Sequence, residues 1–243
     1  TTSSTITFTV NGANDAPTAS NNTVTTNEDT TYTFTASDFG FSDVDGDTLS
    51  SVTVSALSGS DGTFLLNGVA ITGSTSVTKT QIDSGLLTFV PDSNENGSSY
   101  NTFTFTVNDG TTDSASSYTM TVDVTAVNDA PTASNNTVTT NEDTDHTFAA
   151  SEFGFTDVDG DSLDHVSIET LPSNGTLLLS GSAVSAGDQI SAANISNLVF
   201  RPAANANGAS YDTFTFTVND GTTDSASSYT MTVDVTAVND APT

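Results

Sequence analysis

The sequence predicts an all-β protein made of two tandem Greek-key β-sandwiches in an elongated arrangement. Three observations predict this fold class: a long internal repeat, apolar residues that alternate with polar ones, and turn-forming dipeptides between the alternating segments. Alternation with a period of two is typical of strands that bury one face. A unit of about 110 residues is long enough to bury a single core.

The internal repeat comes first because it sets the domain organisation. The segment NDAPTASNNTVTTNEDT occurs at residues 14–30 and, unchanged, at residues 128–144. A second identical segment occupies residues 102–132 and residues 213–243. The 243-residue chain therefore contains one unit twice.

Domain boundaries follow from these offsets. We predict a first repeat at residues 14–129 and a second at residues 130–243, with Pro17 and Pro131 in the restrained joints. The opening TTSSTITFTV lines up with the last strand of a unit, which begins at Ser117. Residues 1–13 are therefore predicted to be the last strand of a preceding, truncated repeat plus its linker.

Each unit contains about seven short strands. Turn signals such as Asn67-Gly68 and Asn96-Gly97 separate them. Strands at this spacing predict a Greek-key sandwich, and residues 78–84 are the one short stretch with a helical pattern. The predicted strands of the first unit are residues 32–34, 52–56, 63–66, 69–71, 86–90, 102–107 and 118–124.

Composition excludes several classes of protein. The chain has 30 acidic residues against only Lys79 and Arg201, a net charge of -28. Nucleic-acid binding needs a cationic face, so no nucleic-acid partner is expected. The absence of cysteine excludes a disulfide scaffold and a thiolate metal site. No apolar run reaches the roughly 18 residues of a membrane-spanning helix, so we expect no direct membrane insertion.

Acidic and amide side chains gather in the predicted loops at matching places of the two copies. Carboxylates this close repel one another, by about 4 kcal/mol for a pair 4 Å apart at an effective dielectric near 20, unless a cation lies among them. Oxygen ligands without His or Cys favour Ca²⁺ over transition metals. The clustered residues are Asn14, Asp15, Glu28, Asp43, Asp45 and Asp109 in copy one, and Asn128, Asp129, Glu142, Asp157, Asp159 and Asp220 in copy two, with Asp240 after the last strand.

The string Asp-Val-Asp-Gly-Asp at residues 43–47 and 157–161 has two interpretations. It is similar to the opening of an EF-hand loop, but the twelfth position holds Val54 or Ile168 instead of the required glutamate, which excludes an EF-hand. The remaining alternatives are a solvated turn and part of a larger cation site. Recurrence of the accompanying acidic clusters favours the cation site.

Five motifs occur in one order, twice: a VNDAP joint, an NEDT start, DVDGD, an LxFxPxxNxNG string and FTVNDG. Over essentially the whole chain this pattern resembles the bacterial cadherin-like tandem repeats of large RTX-type and biofilm surface adhesins. The resemblance implies an Ig-like, cadherin-type sandwich with Ca²⁺ bound at each joint. No clear counterpart of the cadherin LDRE motif is present, and the expected number of ions is one to three per joint.

The resemblance also implies a ligand set for each joint. The amino-terminal joint would use Asn14, Asp15, Asp43, Asp45 and Asp109. The middle joint would use Glu28, Asn128, Asp129, Asp157, Asp159 and Asp220. The outer end of the second unit would offer Glu142, Asn239 and Asp240.

An enzyme is not expected. His146 and His165 replace Tyr32 and Ser51 of the first copy, so neither recurs, and both are predicted to lie on strand surfaces. No glycine-rich phosphate loop leads from a strand into a helix. Tryptophan is absent, which leaves no obvious sugar-stacking platform for glycoside hydrolysis.

The sequence thus predicts a Ca²⁺-stiffened structural extender of a bacterial cell-surface adhesin, extracellular and monomeric, that projects a distal binding domain. Its expected partners are neighbouring repeats of the same chain. Two alternatives remain: a ligand-binding adhesion module for a glycan or protein, and the spacer of a secreted enzyme.

Overall fold

The computed structural model describes residues 3–8, 12–59 and 61–239. The chain divides into two compact units at the bond between Val127 and Asn128. Asp240, and four residues of the predicted amino-terminal strand (1, 2, 9 and 10), lie outside the described residues. Residues 3–8 lie in no strand, and the interpretation of residues 1–13 as part of another repeat stays a prediction.

Unit 1 is built of short strands with very little helix. A 3-10 turn at Ala36–Phe39 follows the second strand. The other elements are β1 Asn22–Asn27, β2 Tyr32–Thr33, β3 Ser51–Ser58, β4 Thr63–Leu66, β5 Val69–Ala70, β6 Thr75–Thr78, α1 Lys79–Asp83, β7 Leu87–Val90, β8 Gly97–Asn108 and β9 Tyr118–Thr125.

Two sheets form the sandwich of unit 1. One has the strand order β1-β9-β8-β3-β6 and the other β2-β7-β4-β5. Neighbouring strands are antiparallel except β1 and β9, which pair in parallel from Asn22↔Met120 to Asn27↔Thr125. The chain crosses from one sheet to the other after β1, β2, β3, β5, β6 and β7, as in a Greek key.

Unit 2 repeats this topology, with sheets β10-β18-β17-β12-β15 and β11-β16-β13-β14. Two 3-10 segments, Ala150–Phe153 and Ala192–Asn197, accompany the strands. The strands are β10 Asn136–Asn141, β11 His146–Thr147, β12 His165–Ile168, β13 Gly175–Leu179, β14 Ser182–Ala183, β15 Gln189–Ser191, β16 Leu198–Pro202, β17 Gly208–Asn219 and β18 Tyr229–Thr236.

Phenylalanine rings fill the space between the two sheets of each unit. In unit 1 the ring of Phe64 on β4 packs edge-on against Phe103 on β8, with centroids 5.0 Å apart. In unit 2 the rings of Phe148 and Phe214 meet at 5.6 Å in the same edge-on manner. All four rings are buried. Such pairs add about 0.5–1.5 kcal/mol beyond the area they bury.

The seven predicted strands of unit 1 are present, and the short helix lies at Lys79–Asp83. The sequence prediction missed β1 and β6, which carry mainly threonine and one buried valine each, Val24 and Val77. One apolar residue shows no periodicity. These segments are extended because they pair with strands that are distant in the sequence. The pattern of residues within them does not reveal that pairing.

Both histidines lie on strands, as predicted, and both are partly exposed: His146 is on β11 and His165 is on β12. The side chain of His146 is 15 % exposed, and its Nε2 lies 3.2 Å from a carboxylate oxygen of Glu152. In unit 1 the hydroxyl of Tyr32 donates to Asp38 over the same 3.2 Å. In unit 2 the shorter histidine side chain replaces the tyrosine, and the longer glutamate replaces the aspartate. His165 is 13 % exposed.

Among the described residues, no helix is long and apolar enough to cross a membrane.

Candidate metal centre

A two-residue bridge assembles the first acidic cluster of unit 1. Thr18 and Ser42 exchange both backbone hydrogen bonds, each 2.8 Å long. This bridge holds the segment before β1 against the segment that enters the Asp-Val-Asp-Gly-Asp loop. Asn14 and Asp15 consequently lie beside residues 43–47, although about thirty residues of chain separate them.

The loop at residues 43–47 winds around one carboxylate oxygen. The backbone amides of Asp45 and Asp47 both donate to Asp43 Oδ1, at 2.8 and 3.2 Å. Gly46 adopts φ +85°, a left-handed conformation that glycine enters without strain. The second oxygen, Asp43 Oδ2, is buried and has no hydrogen-bond partner among the described residues. A buried carboxylate oxygen left unpaired in this way is destabilising.

Two further carboxylates lie close to that of Asp43. One oxygen from each of Asp43, Asp45 and Asp47 lies within 4.8 Å of the others. The backbone amide of Asp15 donates to Asp45 Oδ2 over 2.7 Å. Asp47 was not among the predicted ligands. The signal that identifies it is the alternate-residue spacing of the three acids, which points all three carboxylates towards one turn.

Asp109 completes the cluster from the end of β8. Its Oδ1 accepts the backbone amides of Thr111 and Thr112 at 2.6 and 2.7 Å. Its Oδ2 accepts the side-chain amide of Asn14 at 3.0 Å. The hydrogen bonds from Asn14 and Thr112 hold the pKa of Asp109 below its ordinary value of 3.8. The carboxylate is therefore charged at any neutral pH.

Unit 2 reproduces this geometry closely. Asp129 N donates to Asp159 Oδ2 at 2.7 Å, and Asn128 Nδ2 donates to Asp220 Oδ2 at 3.0 Å. Asp157 Oδ1 accepts two backbone amides, and its buried Oδ2 again has no partner among the described residues. Asp161, which the sequence prediction also missed, forms the third member of the trio.

The charge state of Asp220 follows from two opposed effects. Burial acts to raise its pKa, but hydrogen bonds from Asn128, Thr223 and Thr222 outweigh burial and lower the pKa below 3.8. Asp220 is therefore also a carboxylate anion at neutral pH. Asp109 and Asp220 thus present charged oxygen donors at matching places of the two units.

The two predicted glutamates lie at the opposite end of their units. β8 and β9 are antiparallel, so the end of β9 lies near the start of β8, far from Asp109. Because β1 and β9 run in parallel, their carboxyl ends lie side by side, and Glu28 and Val127 follow at the same end of the sheet. Glu28 Oε1 accepts the amide of Val127 at 2.5 Å, and Oε2 accepts Asn96 Nδ2 at 3.3 Å. Glu28 is only 2 % exposed.

Glu142 occupies the matching place in unit 2. It accepts the amide of Val238 at 2.5 Å and Nδ2 of Asn207 at 2.9 Å. These two hydrogen bonds, the one from Val238 first, lower the pKa of Glu142 below its ordinary 4.5. Asn239, which was predicted to belong to the same site as Glu142, directly follows Val238 in the chain.

The lowered pKa of Glu142 predicts acid sensitivity of unit 2. A carboxyl group with a depressed folded-state pKa stabilises the fold above about pH 4.5, and this contribution is lost as the pH falls through the folded-state value. With chelator present, the Glu142→Gln variant should lose part of this acid dependence. Hydrogen exchange of residues 229–238 at several pH values between about 6 and 3 measures it. Unit 1 of the same chain is the control, and an unchanged pH dependence of unit 2 would contradict the assignment.

The structure therefore divides the predicted ligands of each unit into two groups. It brings together Asn14, Asp15, Asp43, Asp45 and Asp109, and likewise Asn128, Asp129, Asp157, Asp159 and Asp220. It separates Glu28 and Glu142 from the group of their own unit. Whether these residues bind a metal stays a prediction.

A third acidic group occurs in unit 1 alone. Oxygen atoms of Asp61, Asp92 and Glu95 lie within 4.8 Å of one another on the exposed surface. Asp92 already accepts the amide of Gly62, and Glu95 accepts the hydroxyl of Tyr100. The matching positions of unit 2 hold Asn174, Ala203 and Ala206. This group is therefore a feature of one unit and has no counterpart in the repeat.

The donor set of the repeated clusters fits Ca²⁺. Calcium bonds oxygen at about 2.3–2.6 Å, so two oxygens on one ion lie at most about 5 Å apart. The oxygens of each trio lie within 4.8 Å of one another, which is inside this limit. The unpaired Oδ2 atoms of Asp43 and Asp157 supply the buried anionic donor that a cation needs.

Comparison with known sequences identifies one family. A family model described as "Bacterial Ig domain" matches residues 14–125 and again residues 128–236. The two matches cover most of the chain and coincide with the two sandwiches. No curated protein sequence matches the chain significantly.

The chain is similar to several solved structures at low sequence identity. Human protocadherin-24 EC1-2 is 18 % identical over 94 % of this chain and all of that chain, with a TM-score of 0.54. Drosophila N-cadherin EC1-4 is 17 % identical, over 93 % of this chain and 50 % of that one, with a TM-score of 0.46. An endo-fucoidan hydrolase of glycoside hydrolase family 107 is 18 % identical over 96 % of this chain, with a TM-score of 0.30. This chain spans only 30 % of the hydrolase.

Proposed function

This chain belongs to the bacterial Ig domain family, in two tandem copies, and on that premise we propose that it is a non-enzymatic structural extender whose units bind Ca²⁺. The proposed setting is the outside of a bacterial cell, where the extender projects the binding domain of a surface adhesin. Tandem domains of this family support a spacer role. The calcium and the adhesin context are the proposal itself.

The observation that carries the proposal is the buried, unpaired carboxylate oxygen in each unit. Asp43 Oδ2 and Asp157 Oδ2 occupy matching places, and each belongs to a carboxylate that has two further acids close to it. An isolated turn could hold such an oxygen by accident. Two units that differ elsewhere but keep the same unpaired oxygen are better explained by a cation, which satisfies it and offsets the repulsion between the carboxylates.

The backbone contacts of each unit suggest how an ion would act on shape. Val127 donates its amide to Glu28 of unit 1, and the very next residue, Asn128, donates to Asp220 of unit 2. In the proposed mechanism, Ca²⁺ strengthens both attachments by neutralising the acids on which they depend. Without Ca²⁺, repulsion between the acids weakens the attachments and the linking segment becomes flexible.

The expected affinity fits an extracellular role. Calcium modules that work outside cells have dissociation constants of roughly 0.1–1 mM. Calcium in seawater or body fluid would fill such sites, whereas cytosolic calcium would not. The proposed extender would therefore be flexible before export and stiff afterwards.

Substitution of the unpaired acid provides a direct test. The Asp157→Asn variant should bind Ca²⁺ in unit 2 at least about tenfold more weakly, because an amide oxygen carries no net charge. Isothermal titration at constant ionic strength measures the affinity. Asp188→Asn is the matched control, because Asp188 is exposed, lies outside the cluster and accepts a single amide from Ser185. Equal affinity in wild type and the Asp157→Asn variant would refute the assigned ligand.

The extender role requires a measurement of shape. Small-angle scattering of the whole chain should show a narrower distribution of conformations in millimolar Ca²⁺ than in chelator, and the Asp157→Asn/Asp159→Asn double variant should lose that difference. Profiles that are the same with and without Ca²⁺ would overturn the stiffening mechanism. Glycan-array binding by the whole chain would instead support the alternative of a ligand-binding module.

A further inference from the structure

A histidine and two carboxylates meet where β12 begins. His165 is the first residue of β12 and lies opposite Asn219 of β17 in the antiparallel register. Asn219 also forms a β-bridge with Asp224, in the turn that follows β17. Asp164 directly precedes His165 in the chain. The sheet therefore places the carboxylates of Asp164 and Asp224 near different nitrogens of the same imidazole ring.

The two ring nitrogens of His165 have different surroundings. Nδ1 lies 2.8 Å from a carboxylate oxygen of Asp164, and because a carboxylate only accepts, Nδ1 carries the proton of the neutral ring. Nε2 then presents a lone pair, which is buried and has no hydrogen-bond partner among the described residues. Histidines that bind metals are commonly oriented by a carboxylate at their other ring nitrogen, and His165 has this arrangement.

The gap in front of Nε2 has the width of one metal ion. Oδ1 of Asp224 lies 3.9 Å from Nε2, which is too far for a hydrogen bond. Zinc bonds histidine nitrogen at about 2.0–2.1 Å and carboxylate oxygen at about 2.0–2.2 Å, so one ion joins atoms about 3.4–4.3 Å apart. The side-chain amide of Asn219 holds the same Oδ1 by a hydrogen bond of 2.8 Å. The side chain of Asp224 is mostly exposed, which gives an ion access from solvent.

Unit 1 has the carboxylate of this group without the histidine. Asn108 donates to Asp113 over 2.8 Å, as the matching pair does in unit 2. Residues 50 and 51 are both serine, in the places of Asp164 and His165. The histidine and the acid that orients it thus occur together in unit 2 and are both missing from unit 1.

We propose that unit 2 binds one Zn²⁺ ion between Nε2 of His165 and Oδ1 of Asp224, with water as the further ligands. Asp164 is a positioning residue, which fixes the ring and its tautomer without touching the ion. The nitrogen ligand distinguishes this site from the repeated acidic clusters, because imidazole suits zinc whereas calcium takes oxygen ligands. The bound ion ties the start of β12 to the turn after β17.

Nitrogen-15 NMR of the histidine rings tests the site in the whole chain, which contains only His146 and His165. Zn²⁺ is titrated in the presence of millimolar Ca²⁺, which competes for the oxygen-only clusters. We expect Zn²⁺ to shift the Nε2 resonance of His165 and to leave the ring of His146 unchanged, because Nε2 of His146 already lies within hydrogen-bond distance of Glu152. An equal shift of both rings, or no shift of the His165 ring, would overturn the proposal.

Substitutions that install the residues of unit 1 test each role by isothermal titration with Zn²⁺ in millimolar Ca²⁺. The His165→Ser variant should bind Zn²⁺ at least about tenfold more weakly, because the nitrogen ligand is lost. The His146→Tyr variant is the matched control and should bind Zn²⁺ as the wild type does. Equal Zn²⁺ affinity in the wild type and the His165→Ser variant would contradict the assigned ligand.

The Asp164→Ser variant tests the positioning role. Loss of the partner that orients a metal ligand typically weakens metal binding about 10–100-fold, and we expect a loss in this range. Without Zn²⁺, the nitrogen-15 spectrum of this variant should show His165 as a mixture of tautomers, which a purely structural role of Asp164 would not produce. Unchanged affinity together with an unchanged tautomer would refute the role given to Asp164.

Discussion

Removal of calcium is expected to lower the melting temperature of each unit by about 5–10 °C per bound ion. A ligand that binds only the folded state stabilises it by RT ln(1 + [L]/Kd), and about 10 mM Ca²⁺ with a Kd of 0.1–1 mM contributes about 1.4–2.7 kcal/mol. For a domain of this size, each kcal/mol shifts the midpoint by about 4 °C. Differential scanning calorimetry in Ca²⁺ and in chelator measures the difference.

Two controls separate specific binding from screening of charge. At equal ionic strength, Na⁺ should reproduce little of the shift, because screening lacks the directed bonds of an ion among the trios of Asp43 and Asp157. The Asp43→Asn/Asp157→Asn double variant should melt at nearly the same temperature with and without Ca²⁺. A wild-type melting temperature that is insensitive to chelator would remove the basis of the calcium proposal.

Loss of the Asp212 side chain is expected to destabilise unit 2 by about 3–4 kcal/mol. This carboxylate is 5 % exposed and lies within β17. It accepts four backbone amides at 2.7–2.9 Å, those of Ser173, Asn174, Gly175 and Thr213. The Asp212→Ala variant leaves these donors without an acceptor, and each unpaired buried donor costs about 1–3 kcal/mol when water cannot replace the bond. Four donors do not add fully, because the loop at residues 173–175 can move towards solvent.

Hydrogen exchange measures this change within the whole chain, because it reports the free energy of opening for each unit separately. Unit 1 should be unaffected. The Asp188→Ala variant, which removes an exposed acid that accepts one backbone amide, that of Ser185, is the control and should cost less than about 1 kcal/mol. If Asp212→Ala costs no more than this control, the four hydrogen bonds contribute no net stability.

Asp212 also shows what sequence analysis could not find. Its counterpart in unit 1 is Asn101. The side-chain amide of Asn101 donates a hydrogen bond to the backbone carbonyl of Asp61. An acid directly before a predicted strand gives no sign that a loop 37 to 39 residues away along the chain turns its amides towards it. The contact depends on the crossing between sheets, which no local pattern specifies.

The acidic cluster was more predictable because its parts repeat. Recurrence in register marked Asp43, Asp45 and Asp109 as candidates, and the structure places them in one cluster with Asn14 and Asp15. Asp47 and the unpaired oxygen of Asp43 were not foreseen. Which oxygen of a carboxylate is left without a donor depends on how the loop winds, and residue identities do not contain that information.

The amino-acid sequence by itself determined the number of units, the all-β class, seven of the nine strands described in unit 1, and the residue types of the acidic clusters. These features depend on short-range periodicity and on repetition, both of which are local properties of the chain. Tertiary structure decided the parallel pairing of β1 with β9, and with it the placement of Glu28 beside Val127. The two strands lie almost a hundred residues apart, and only closure of the sandwich core brings their ends to one edge.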